Sequence, residues 1–105
     1  MIMNLYVLLN CNAEGTNFLG VFDTLEAAIE AAKDYNKSIV SDIITFFSIS
    51  EEYKSSIPDQ IRSIQGWDLA EVYTQTMNNL TNGRLIWEDP TNYLKEYEDS
   101  LNDSN

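Results

Sequence analysis

Histidine is absent from this chain, cysteine occurs once, and Lys and Arg together number six. Without histidine, Ser-His-Asp and Cys-His nucleophilic sites, histidine-ligated zinc and the commonest general base are all excluded. A single cysteine, Cys11, allows no intramolecular disulfide and no structural zinc site, and it fits a reducing, cytoplasmic setting. Six bases against 17 acids give a net charge of −11. Phosphate binding rests on Lys and Arg, so nucleic acid and anionic membrane are disfavoured as direct partners. Glycine is sparse and forms neither Gly-x-Gly-x-x-Gly nor a Walker A loop, which removes the common nucleotide-phosphate cradles. No apolar run approaches the roughly 18 residues of a membrane span, and no charged-then-apolar signal sequence opens the chain.

What is present is an ordinary globular composition, 44% apolar over 105 residues, which argues for one folded domain. The stretch from Asn4 to Tyr35 organises it. Leu5 to Leu9 is apolar on both faces of an extended chain, as a central strand would be. Asn10 to Asn17 reads as a polar loop with Gly15 in a left-handed turn. Phe18 to Phe22 is the returning strand, with Leu19 and Val21 on one face and Phe18 and Phe22 on the other. Gly20 within it marks a bulge or a close approach. Asp23, with Glu26 three residues on, predicts a capping box for a helix over 24–35. Leu25, Ala28, Ile29 and Ala32 give that helix one apolar stripe.

The run Leu5-Tyr6-Val7-Leu8-Leu9, followed by Asn17-Phe18-Leu19-Gly20-Val21-Phe22-Asp23-Thr24-Leu25-Glu26-Ala27-Ala28, resembles the N-terminus of small bacterial and bacteriophage proteins of uncharacterised function. In those, a hairpin ending in Gly-Val-Phe/Tyr precedes Ser/Thr-x-Glu-x-Ala and a helix. The resemblance covers about a third of the chain. It implies a hairpin-then-helix element and a bacterial or phage source, and no activity.

Lys37 to Asp42 is polar and is expected to end the first helix. Ile43 to Phe47 is β-branched and aromatic and reads as a strand, with helix as the alternative. Ser48 to Glu51 has capping-box spacing, and a short helix from about Ser50 to Ser56 fits. Pro58 opens a further turn or two, with Ile57, Ile61 and Ile64 at helical spacing and Gly66 as C-cap. Trp67 to Thr76 and Arg84 to Glu88 read as strands about a hairpin loop over Asn78 to Gly83. Asp89-Pro90 predicts an Asp-capped helix with Tyr93, Leu94, Tyr97 and Leu101 on its apolar face, fraying into an acidic tail over 102–105. The expected fold is therefore a single α+β domain over 1–105. An antiparallel sheet of four or five strands carries helices on one face, in ββα … ββα order.

Asn10 to Gly15 matches the first positions of a calcium loop, but Val21 stands where a bidentate Glu is needed and no helix precedes it. Cys11 beside Glu14 has no feature that would activate a thiolate. Glu51 with Glu52, and Glu88 with Asp89, are the carboxylate pairs available for acid–base work. No cofactor, metal or catalytic residue is assigned, and no enzyme is expected. Six acids against Lys95 fall between residue 88 and the C-terminus. Glu88, Asp89, Glu96, Glu98 and Asp99, with Tyr93 and Tyr97 as aromatic anchors, compose a candidate protein-binding surface. The expected partner is a host protein with a basic surface, blocked in the manner of a nucleic-acid mimic or phage anti-defence inhibitor. The alternative is a small-ligand-binding or sequestering oligomer, with a homodimer as one form, or a structural accessory protein.

Overall fold

The structure, a computed structural model, describes residues 4–12, 14–76 and 83–102. Its element order is β1 (Asn4–Asn12), β2 (Gly15–Phe22), α1 (Leu25–Phe47), α2 (Glu51–Lys54), α3 (Ile57–Trp67), β3 (Ala70–Thr76), β4 (Arg84–Trp87) and α4 (Tyr93–Asn102). The four strands form an antiparallel sheet in the order β2-β1-β3-β4. β1 is central, as its two apolar faces require. The expected α+β class is the one found.

The first hairpin is tighter than its polar sequence suggests. Asn10, Cys11 and Asn12 pair with Asn17, Thr16 and Gly15, so the presumed loop is mostly ladder. Gly15 has φ +134°, a conformation L side chains rarely adopt. The register shifts between Leu8 and Leu9, opposite Gly20 and Phe18. This bulge at Leu19–Gly20 re-sorts the β2 faces. Leu19 and Phe22 pack on the core beneath the sheet, while Phe18 and Val21 stay exposed on the other side. Strict alternation would have put Leu19 with Val21.

α1 is capped by Thr24, not Asp23: its Oγ1 accepts from Ala27 N at 3.2 Å. The helix then runs 23 residues, so Ile43 to Phe47 is its last turn and not a strand. Ala28, Ala32, Asn36 and Val40 are its buried residues, four apart, and Ile43, Ile44 and Phe47 extend the same face. The polar residues 37, 38, 41 and 42 lie on the exposed face and do not interrupt the stripe. Helical packing on α3 overrides the β propensity of the Ile-Phe run.

Two apolar clusters result. Leu8, Ala70 and Val72 of the sheet meet Ala28 and Ala32 of α1, with Tyr6, Leu25, Ile29 and Trp87 around them. Val40, Ile57, Ile61, Ile64 and Tyr93 form the second, where the far half of α1 meets α3 and α4. α1 therefore outruns the sheet. The molecule measures 56 × 29 × 16 Å with a radius of gyration of 16.4 Å, against roughly 13 Å for a compact chain of this length.

The remaining boundaries differ from expectation in small, explicable ways. Ser50, not Ser48, caps α2 by accepting from Tyr53 N. Pro58 does sit in the first turn of α3, and Ile57, Ile61 and Ile64 are its buried face. Gly66 lies inside α3, whose C-cap is Asp68, and Trp67 ends the helix, so β3 starts three residues later than predicted. The loop expected over Asn78 to Gly83 falls outside the described residues except for Gly83; of the tail expected to fray over 102–105, Asn102 is the last residue of α4 and 103–105 fall outside them.

Candidate functional site

Asp89 was expected to cap the last helix; it does something else. Asn92 is the cap, its Oδ1 accepting from Lys95 N at 3.0 Å. Pro90 therefore lies in the connection before α4 rather than in its first turn. Asp89 sits between β4 and α4 and takes donors from three residues, Asn36, Thr91 and Tyr93. Asn36 Nδ2 reaches its Oδ2 at 2.9 Å, Thr91 N reaches Oδ1 at 2.9 Å, and the Tyr93 hydroxyl donates to Oδ2. Burial alone would raise the Asp89 carboxyl, but the hydrogen bonds from Tyr93, Thr91 and Asn36 outweigh it and hold the group below its ordinary value. Burial, then the bond to Asp89, pushes the Tyr93 phenol well above its ordinary range.

Asn36 completes the arrangement. It is fully buried, its Oδ1 accepts from Ala70 N at 2.7 Å, and its amide also faces Ala70 O at 3.5 Å. One side chain of α1 thus holds the start of β3 and, through Asp89, the approach to α4. Gln65 of α3 adds a second tie, its Oε1 accepting from Leu94 N at 2.9 Å.

Next to this knot a cleft of about 260 Å³ opens, lined by Gln65, Gly66, Leu69, Glu71, Glu88 and Asp89. Burial and then the charge of Glu88 raise the Glu71 carboxyl. Asp89 is already saturated by its donors, so the carboxylates left to the cleft are Glu71 and Glu88. Glu71 was not singled out in the sequence. Its signal was its place in the β3–β4 hairpin, one position before the Val72–Trp87 pair, which sets it beside Glu88.

The expected site residues are not one strip. Glu88 and Asp89 share the cleft. Glu96 lines a separate groove with Lys37, Val40, Ser41, Ile44, Thr45 and Tyr93. Glu98 and Asp99 are exposed elsewhere on α4, and Asp99 pairs with Lys95 at 2.9 Å. Tyr93 is only 2% exposed, a core residue and not a surface anchor, and Tyr97 is half-buried against the same cluster. The aromatic half of the proposed surface is therefore occupied in holding α4 down.

Among the described residues no group of three or more His, Cys, Asp or Glu could hold a metal ion, and no helix is long and apolar enough to cross a membrane. No family model, curated protein or solved structure matches this chain.

Proposed function

We propose that this chain is a non-enzymatic, cytoplasmic protein-binding module whose acidic surface engages a protein with a basic face. The observation that supports the reading is the exposure of Glu96, Glu98 and Asp99 on α4, opposed there by Lys95 alone. With a net charge of −11, the molecule steers basic partners from a distance. In its finer form the carboxylates stand in for phosphates, and the chain inhibits a nucleic-acid-binding protein, as a phage-encoded anti-defence factor would. Size, acidity and the hairpin-then-helix resemblance support that form.

The test uses a heparin-retained fraction of bacterial nucleic-acid-binding proteins passed over the immobilised chain. A partner of the expected kind is eluted by duplex DNA, weakens as salt rises because surface attraction is screened beyond about 8 Å at physiological ionic strength, and is lost by the Glu96→Lys, Glu98→Lys, Asp99→Lys triple variant. The fold survives that triple, since exposed charges contribute little to stability. A partner that binds the triple variant as tightly as the parent chain, across the salt titration, ends the reading. The small-ligand alternative rests on the Glu71–Glu88 cleft, and it requires a molecule released from the purified protein on heating.

A further inference from the structure

Among the described residues, one face of the sheet is covered. α1 closes over Leu8, Ala70 and Val72 on one side. On the other, Val7 and Leu9 of β1, Phe18 and Val21 of β2, Tyr73 of β3 and Leu85 of β4 belong to neither apolar cluster. Phe18 is 65% exposed, Val21 48% and Leu85 38%. The ladder registers align them. Val21 pairs with Val7, Val7 with Tyr73, and Tyr73 with Leu85, so one unbroken apolar row crosses all four strands. Monomeric proteins rarely leave a contiguous apolar face of this kind in water.

We infer that this open face is the contact between two copies of the chain, packed sheet on sheet. Three features select that occupant. The first is size: four strands about 4.8 Å apart, averaging roughly seven residues of about 3.3 Å each, span some 20 by 23 Å. A standard interface takes about 800 Å² of accessible surface from each partner, so the whole corrugated face has to be covered. A helix about 10 Å across covers half its width, whereas a second sheet, seated about 10 Å away, covers all of it.

The second feature is charge. The row carries no Lys or Arg, and the nearest acid on this face is Glu71, beside Leu9 in the ladder. Nothing here selects a charged partner of either sign, while a like-charged copy meets little repulsion at the contact itself. The third is self-complementarity. A two-fold interface sets the same patch against itself. With the axis along the Val21–Val7–Tyr73–Leu85 row, Glu71 of one copy stands over the Leu5–Gln75 end of the other, and the two carboxylates do not meet. The product is a helix–sheet–sheet–helix sandwich.

Sedimentation equilibrium of the full chain across a concentration series tests this. The expected species has twice the 12.0 kDa chain mass. Val21→Lys and Leu85→Lys, both on edge strands and already exposed, should each weaken the dimer about thirtyfold or more, because each sets a charge against its own copy in an apolar contact. Ile49→Lys, on the exposed turn beyond α1, should leave it unchanged. Rising salt should tighten the dimer, because the contact is apolar and only the repulsion between two −11 chains is screened. This is the opposite of the salt response of an acidic-surface complex, so the two proposals fail separately. A parent chain that stays monomeric at high micromolar concentration overturns the inference and leaves the face to a different protein. A dimer that tolerates both lysines, with circular dichroism showing them folded, overturns it by placing the contact elsewhere.

Discussion

Where α1 crosses the sheet it buries alanines; where it leaves the sheet it meets isoleucines. Ala28, Ala32 and Ala70 are all fully buried in the first region, and Ile57 and Ile61 in the second. Small residues let the helix backbone lie close on the pleated surface, with Leu8 and Val72 filling what remains. The helical region has no flat partner, so volume must come from the side chains of α3 and α4. The two regions are equally dry but close-packed by opposite means, and they should respond oppositely to changes of size.

The largest effect is expected from testing that directly. Ile61→Ala removes a fully buried side chain and should cost about 2–5 kcal/mol by urea denaturation. In the sheet region truncation has little to remove, and enlargement does the damage: Ala32→Leu should cost about 1–3 kcal/mol through overpacking. If Ala32→Leu stabilises, the contact between α1 and the sheet is looser than described and the contrast is lost.

Asn36 sits on the seam, between Ala32 of one cluster and Val40 of the other, on the same stripe of α1. Asn36→Ala strips a buried N–H of Ala70 of its acceptor and Asp89 of a donor, which should cost about 1–3 kcal/mol. It also has a pH signature. Asp89 is held below its ordinary value in the fold, so its contribution is present above the unfolded carboxylate pKa near about 3.9 and is lost as pH falls below that. Tyr93 is held above its ordinary value, so its contribution is intact below about pH 10 and is lost as pH rises further. Asn36→Ala should raise the Asp89 titration midpoint, read by carboxyl carbon NMR, and flatten the acid limb of the stability curve. An unchanged Asp89 midpoint would mean that the seam is held by packing alone.

Thr24→Ala should cost about 1 kcal/mol as the loss of an N-cap, whereas Asp23→Ala should change the urea midpoint hardly at all. Equal effects would restore Asp23 to the role its sequence context suggested.

The cores of the four strands, the α1 stripe over Leu25 to Ala32 and the Ile57–Ile61–Ile64 face were legible, because each shows a periodic pattern. The length of α1 was not. Residues 37 and 38 look like a terminus when the helix face is unknown, and Ile43 to Phe47 looks like a strand when Val40 is left out of its pattern. The faces of β2 were lost to the bulge: Gly20 announced an irregularity but not which neighbour would turn inward. Of the candidate site, the acidity of α4 was readable and the fates of its tyrosines were not. Tyr93 and Tyr97 look alike as letters, and only the positions of Asp89 and α3 make one a core hydroxyl donor and the other a half-covered flank. Asn36 gave no signal at all, since an asparagine inside a helix is usually a surface residue.

The central pairing of the sheet joins Asn4 to Thr76 and Asn10 to Ala70. Every intervening element, including the whole of α1, must be made before β1 gains its second neighbour. During synthesis the hairpin of β1 and β2 and the helix that follows can assemble early from local contacts. Until residue 76 has emerged, one edge of an apolar strand stands unpaired, with its backbone donors and acceptors open to any other chain. The strand that ends up best protected is therefore the one longest at risk. The topology therefore predicts that folding yield depends on how quickly β3 arrives, a matter of time rather than of stability.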